Sequence, residues 1–197
     1  MRYTESRCRR CRALGASICG RAKCAFLKRG TAPGQHGAAR KKVSDFGKHL
    51  QAKQKIKWTY EVSERQFFNL YQQAIRSRGI TGDVLLQLLE LRIDNVVYRA
   101  FSCSTRRQAR QLVSHGHVRV NGKKLDIPSA LVKPGDTISV AGGMHSYLKE
   151  RQPSLGIVPA WLQADYGNMT ASCLHIPSRE DIDQTFEENL VIEYYSR

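Results

Sequence analysis

Apolar residues recur at helical spacing behind the capping-box run Ser63-Glu64-Arg65-Gln66: Phe67, Leu70, Tyr71, Ala74 and Ile75 fall at i, i+3, i+4, i+7 and i+8, and Gly79 stops the run. That pattern predicts a helix whose aromatics, Phe68 included, pack in a core rather than stack on bases. A second helix is expected to start after Asp83 and to bury Leu85, Leu88 and Leu89 on one face. Residues 92–140 read as helix, helix, hairpin and strand. Arg92-Ile-Asp-Asn-Val-Val-Tyr-Arg99 is the first of these helices. The second is capped by Thr105 with Gln108, runs to His115 and closes at Gly116. Ala109, Leu112 and Val113 make its apolar face, while Arg106 and Arg110 project together from another. Asn121-Gly122 is a strong signal for a two-residue hairpin, with Lys123 and Lys124 near its tip, and Pro134-Gly135-Asp136 turns into a strand from Thr137 to Val140. The last ten residues stay open between helix and strand, because Leu190, Ile192 and Tyr194 alternate while Val191 and Tyr195 fit helical spacing.

The 197 residues, 41% apolar, suffice for one ordinary domain or two small ones and are too few for a large enzyme. A formal charge of +15 points to a polyanionic partner, nucleic acid before anionic membrane. Its placement says more. Residues 1–60 carry 16 basic and 2 acidic side chains, 61–91 carry 3 and 4, 92–124 carry 8 and 1, and 125–197 carry 5 and 10. Two basic blocks and an acidic end suit a contact face better than general solubility, although a solvated tail is the plain alternative for the first block. No apolar run approaches the roughly 18 residues of a membrane span. The start, Met1-Arg2-Tyr3-Thr4-Glu5, lacks the apolar stretch of a secretory signal, so a soluble, intracellular protein is expected.

Cys8, Cys11, Cys19 and Cys24 place four of the six cysteines within one short segment. This spacing supplies the ligand count of a tetrahedral thiolate site and favours metal over disulfide in a cytosolic protein. Zinc is the first choice; an iron–sulfur cluster uses the same four ligands and remains the second. Arg7, Arg9, Arg10, Arg12, Arg21, Lys23 and Lys28 surround the knuckle, offset its negative charge and leave it able to lie on phosphate. Cys103 and Cys173 read as small buried thiols. Between Gly30 and Gly47 the glycine-rich chain has little to pack and reads as an extended arm, with Arg40, Lys41 and Lys42 available to phosphate.

The run Arg92–Arg99, the helix Ser104-Thr-Arg-Arg-Gln-Ala-Arg-Gln-Leu-Val-Ser-His-Gly116 and the Val120-Asn-Gly122 hairpin resemble the RNA-binding module of the bacterial fourth small-subunit ribosomal protein family. Ala32-Pro-Gly-Gln-His-Gly37, Lys53-Gln-Lys55, Glu64-Arg-Gln-Phe67, Thr81-Gly82, Pro159-Ala-Trp-Leu162 and Leu190–Arg197 match in order, so the resemblance spans essentially the whole chain. The four cysteines resemble that family's metal-binding subset.

The resemblance implies an α+β protein in three parts. Residues 1–44 form a metal knuckle and basic arm, residues 45–91 with about 186–197 a helical domain, and residues 92–185 an RNA-binding module, core 92–140, with helices on a small antiparallel sheet. Function follows from the family: direct, early binding of the 5′ domain of small-subunit ribosomal RNA, lining of the mRNA entry path, and an effect on decoding accuracy. The implied setting is cytoplasmic, in the small ribosomal subunit, beside neighbours such as its third and fifth proteins, without membrane or small-molecule substrate. RNA contacts carried over are Arg92, Asn95, Arg99, Ser104, Thr105, Arg106, Arg110, Gln111, Ser114, His115, Asn121 and Lys123, with Arg40, Lys41 and Lys42 added from the arm. The linker from Gly142 is shorter and less basic than the family leads one to expect, retaining Lys149 and Arg151. The same module is appended to RNA-modifying enzymes, so an enzyme or a regulator carrying it is the alternative. Against an enzyme stand the little spare chain and the lack of a catalytic constellation, His115 and His117 being the sole close histidine pair.

Overall fold

The computed structural model describes residues 6–21, 23–39, 42–101, 103–150 and 158–196. Two compact units are formed, one from the chain up to Gly82 together with the residues from Thr185, the other from Asp83–Gln184. Among the described residues the secondary structure is mixed, several helices with one five-stranded antiparallel sheet, as an α+β class requires. No described helix is long and apolar enough to cross a membrane.

The first unit contains α1 (Arg7–Leu14), α2 (Ala25–Lys28), α3 (Asp45–Thr59) and α4 (Glu64–Arg76). Ser63 caps α4 by accepting from the Gln66 N–H at 3.4 Å, and Phe67, Tyr71 and Ala74 face inward. Ile75, the last position of the predicted stripe, is exposed, because α4 ends at Arg76, short of Gly79. The lysine-rich start of the expected helical domain is α3, capped by Ser44. At the chain's end the helical spacing prevails: α9 (Glu188–Ser196) packs along α3, with Val191 buried. Tyr195 brings its ring within 4.6 Å of Tyr71 and 5.5 Å of Phe68. Phe67 and Tyr71 are buried as the spacing implied, whereas Phe68, expected in the core, stays 42% exposed with its ring against those of Tyr71 and Tyr195.

A buried cation holds the same three helices. Lys53 on α3 is almost fully buried, and its ammonium lies 2.7 Å from the Glu64 carboxylate at the start of α4 and 4.4 Å from the Tyr194 ring centroid. Lys57 reaches the other Glu64 oxygen at 2.5 Å, and the Tyr195 hydroxyl donates to the first at 2.9 Å. Partial burial acts to raise the Glu64 carboxyl, but these three donors outweigh it and hold the group at about 2. A buried ammonium without a partner is strongly unfavourable, so Glu64 makes the α3–α4–α9 packing possible.

The second unit opens with α5 (Thr81–Glu90), whose start falls two residues ahead of Asp83 and which buries Leu85, Leu86 and Leu89, with Leu88 only half-buried. Then come α6 (Ile93–Ala100), α7 (Arg106–Ser114), β1 (Val118–Val120), β2 (Lys123–Lys124) and β3 (Thr137–Val140). Thr105 caps α7, accepting from the Gln108 N–H at 3.3 Å. The predicted hairpin closes β1 to β2, with positive φ at both Asn121 and Gly122, as a mirror-image turn needs. After a 3-10 turn (Gly142–Met144) and α8 (His145–Glu150), β4 (Leu162–Asp165) and β5 (Thr170–Cys173) complete the sheet in the order β2-β1-β3-β5-β4. One row across the sheet, Val120, Ile138, Ala171 and Ala164, contributes to the core. Ile93, Val96, Val97, Ala109, Leu112 and Val113 of α6 and α7 pack in the same core with Trp161 and Met169. Each such fully buried aliphatic side chain contributes about 1.5–3 kcal/mol.

Removal of the Lys53 partner gives a direct check. Glu64→Gln is expected to lower stability by about 1–2 kcal/mol near neutral pH, the carboxylate being half exposed and the pair partly screened. Because folding depresses the Glu64 carboxyl, its contribution is complete above the usual carboxylate range near 4.5 and fades as pH falls toward about 2. Urea titrations should therefore show a stability gap between wild type and variant at pH 6 that closes toward pH 2; a gap independent of pH would refute this.

Candidate nucleic-acid interface and cysteine knuckle

Two carboxylates are buried where α5 meets α6, Glu90 at 1% exposure and Asp94 at 5%, and each is met by cations. Arg99 donates to Glu90 Oε1 at 2.7 Å, and the Asn95 amide donates to its Oε2 at 2.5 Å and to its carbonyl at 2.9 Å. Arg92 forks onto Asp94 at 3.1 and 2.7 Å, and Arg110 of α7 adds a bond at 3.0 Å. Asn95 completes the set by accepting from Arg106 Nε at 2.9 Å, while the Arg106 guanidinium lies 4.4 Å from the Tyr98 ring centroid. Three arginines answer two carboxylates and a fourth, Arg106, joins them through Asn95, so the hub binds α7 to α6 and keeps a positive excess.

Arg92 and Asn95, carried over as RNA contacts, are placed inside the protein. Both are 2% exposed with their polar groups turned onto protein partners, which makes them positioning residues. Arg99 and Arg110 keep about a quarter of their side chains exposed, at 26% and 23%, and Arg106 is half-buried. Asn121 is exposed, but its side chain locks the hairpin, donating to Asp136 at 2.8 Å and accepting from the Thr137 N–H at 2.9 Å. Thr105 is spent as the α7 cap. Ser104, Gln111, Ser114, His115 and Lys123 are exposed, and so is Lys42; Arg40 and Lys41 lie outside the described residues, as does Arg151.

The knuckle is built by α1 and the turn before α2. Cys8 and Cys11 share a helix face three residues apart, and Cys24 precedes α2. The sulfurs of Cys8, Cys19 and Cys24 lie within 4.8 Å of one another. Cys11 is fully buried in the same cluster, its thiol hydrogen-bonded to those of Cys24 and Cys19. Burial pushes the Cys11 thiol up to about 12, although the Ile18 backbone bond offsets part of this. At Cys24 burial also acts upward, but hydrogen bonds accepted from Ser17, the Phe26 backbone, Cys19 and Cys11 outweigh it and hold the thiol at about 7. Four thiols crowded this way resist joint deprotonation, and a soft divalent ion supplies the charge that would permit it, so the donor set fits a metal. Arg12 steadies the segment beyond, donating to the Thr31 and Ala32 carbonyls at 2.9 and 3.1 Å, so the arm is anchored at its start rather than extended throughout. Cys103 and Cys173 are buried in the other unit, and burial pushes the Cys103 thiol up to about 12.

Residues 2–90 match the family described as Ribosomal protein S4/S9 N-terminal domain, and residues 91–138 match the S4 domain. Proteins named "Small ribosomal subunit protein uS4" from Thermoanaerobacter sp. (strain X514) and Clostridioides difficile (strain 630) are each 48% identical over 204 and 205 residues, covering 100% of this chain and 99% of theirs. The one from Rubrobacter xylanophilus is 48% identical over 198 residues with the same coverage. This chain belongs to the S4 family of ribosomal proteins.

This S4 protein exposes a further cation on the hairpin. Arg119 is the outward residue of the Val118-Arg119-Val120 alternation and pairs across the ladder with Lys124, which is also exposed. The alternation alone could have found it, but three residues are too few for a clear period. A clean separation of frame from face follows. Asn95→Ala should cost about 2–3 kcal/mol in urea unfolding, since it deprives buried Glu90 of a donor and Arg106 of its acceptor. Gln111→Ala, on an exposed position, should stay within about 0.5 kcal/mol of wild type. Equal effects would show that the hub does not hold α7.

Proposed function

We propose that this protein is a structural component of the small ribosomal subunit that binds the 5′ domain of its ribosomal RNA and helps nucleate assembly of the subunit body. The full-length correspondence with three bacterial uS4 proteins at 48% identity carries this reading. The exposed basic set fits it: Arg119, Lys123 and Lys124 on the hairpin, the exposed edges of Arg99 and Arg110, and Lys42 of the arm are suited to phosphate. By charge alone Arg40 and Lys41, outside the described residues, belong with them. A-form grooves hide base edges, so phosphates and 2′-hydroxyls at a junction supply most of what these side chains can read. Ser104, Gln111, Ser114 and His115 offer short polar groups for the latter.

The domain reading places a knuckle and arm in residues 1–44, a helical domain in 45–91 with about 186–197, and an RNA-binding module in 92–185. In the same reading Cys8, Cys11, Cys19 and Cys24 hold zinc in preference to an iron–sulfur cluster. The protein lines the mRNA entry path beside the third and fifth small-subunit proteins in the cytoplasm and contributes to decoding accuracy. No observation favours an RNA-modifying enzyme or a free regulator.

Filter binding to a 5′-domain transcript should give log K falling against log salt with a slope of about −6 to −7 if about eight phosphates are neutralised, and a slope shallower than about −2 would refute the clamp. In a cell extract the protein should sediment with small subunits at moderate salt; a free-protein peak alone would overturn the assignment. Thiol modification should release about one zinc per chain without visible absorbance, whereas a cluster would colour the protein.

A further inference from the structure

A small cavity of about 210 Å³ lies at the end of α7, lined by Gln108, Gln111, Leu112, His115, His117 and Met144. The chain reversal at Gly116 builds it. With φ at +72°, Gly116 lets the His117 N–H reach back to the Leu112 carbonyl at 3.0 Å and brings the His115 and His117 rings to 6.2 Å between centroids. The opposite wall is tied to the same turn, because the Ala141 N–H donates to the His117 carbonyl at 2.8 Å, which sets the 3-10 turn carrying Met144.

Two features set this cavity apart from ordinary packing. Gln111 makes no side-chain hydrogen bond among the described residues, and Gln108 uses only its oxygen, accepting from the Ser104 N–H at 2.9 Å. Both imidazoles likewise keep their nitrogens unengaged, so a wall of flat rings, a thioether and a leucine is fringed by uncommitted donors and acceptors. The Lys124 side chain also lies over Gly116, so closely that a Cβ there would fall 2.1 Å from its Cε and 2.7 Å from its ammonium nitrogen. A cation thus lies over the turn that joins His115 to His117, two of the lining residues.

We propose that the cavity holds one unpaired nucleobase of the bound RNA, its faces against the imidazoles and Met144, its edge read by the Gln111 and Gln108 amides, and its phosphate neutralised by Lys124. Flat apolar walls with polar heads suit a heteroaromatic base displaced from its stack, and an adjacent ammonium suits the phosphate that follows it. This inference rests on the RNA-binding reading and adds a base-specific contact to a surface that otherwise reads phosphate.

The test uses the full chain on the 5′-domain transcript, probed with dimethyl sulfate and a carbodiimide so that all four bases are read. Wild type should protect at least one unpaired base that Met144→Trp, which fills the cavity, leaves reactive. Met144→Trp and Gln111→Ala should each weaken binding by about tenfold or less with the salt slope unchanged. Gln111→Ala serves as the variant that cannot disturb folding. Identical footprints and affinities for wild type and both variants would overturn the proposal while leaving the ribosomal reading intact. Failure of wild type itself to prefer the transcript over an unrelated RNA would overturn both.

Discussion

Two buried carboxylates set the constraint on which the RNA-facing unit depends. Glu90 and Asp94 sit at the junction of α5 and α6 with almost no access to water, and an unpaired charge there would be prohibitive. Their partners come from three stretches of chain: Arg92 and Asn95 beside them, Arg99 further along α6, and Arg110 from α7, with Arg106 of α7 joined through Asn95. Satisfying the acids therefore fixes α7 against α6, and fixing α7 presents Ser104, Gln111, Ser114 and His115 outward. The charge that makes the surface basic is partly the charge that holds the frame. Apolar packing of Ala109, Leu112 and Val113 would supply affinity between the helices, whereas the hydrogen-bonded hub supplies one orientation.

The other unit uses the same device with the sign reversed. There a buried ammonium, Lys53, selects Glu64 and a wall of tyrosines, and so binds α3, α4 and α9. In each case a buried ion is tolerated because several elements contribute to its shell, so loss of one partner is felt by more than one helix. A structure assembled this way gives a strongly basic protein a rigid scaffold without leaving its cations to repel one another.

Much of the module was legible because its signals were local. Thr105 with Gln108, Asn121-Gly122 and Pro134-Gly135-Asp136 each specify geometry within a few residues, and each forms as expected. The strands β4 and β5 were not foreseen, since Leu162-Gln-Ala-Asp165 and Thr170-Ala-Ser-Cys173 alternate with small side chains that barely change hydropathy. They form because the sheet edge at β3 and the buried Trp161 recruit them, and because Asp165 accepts from the Gly167 and Asn168 N–H groups to make the turn. The helix α3 was hidden by its lysines and short apolar stripe, its inward face being decided by α9, which arrives more than a hundred residues later. At the site the gap was of another kind. The family resemblance carried Arg92 and Asn95 over as RNA contacts, and the sequence held no sign that Glu90 and Asp94 are buried beside them and engage their side chains.

A folded frame of paired charges that directs its surplus cations onto a structured RNA is the core of this account. Competition binding at physiological salt tests it most directly, with the folded 5′-domain transcript set against an unrelated duplex of equal length. A frame that reads shape predicts a preference of about a hundredfold or more for the folded transcript, and equal affinity for the two would contradict it.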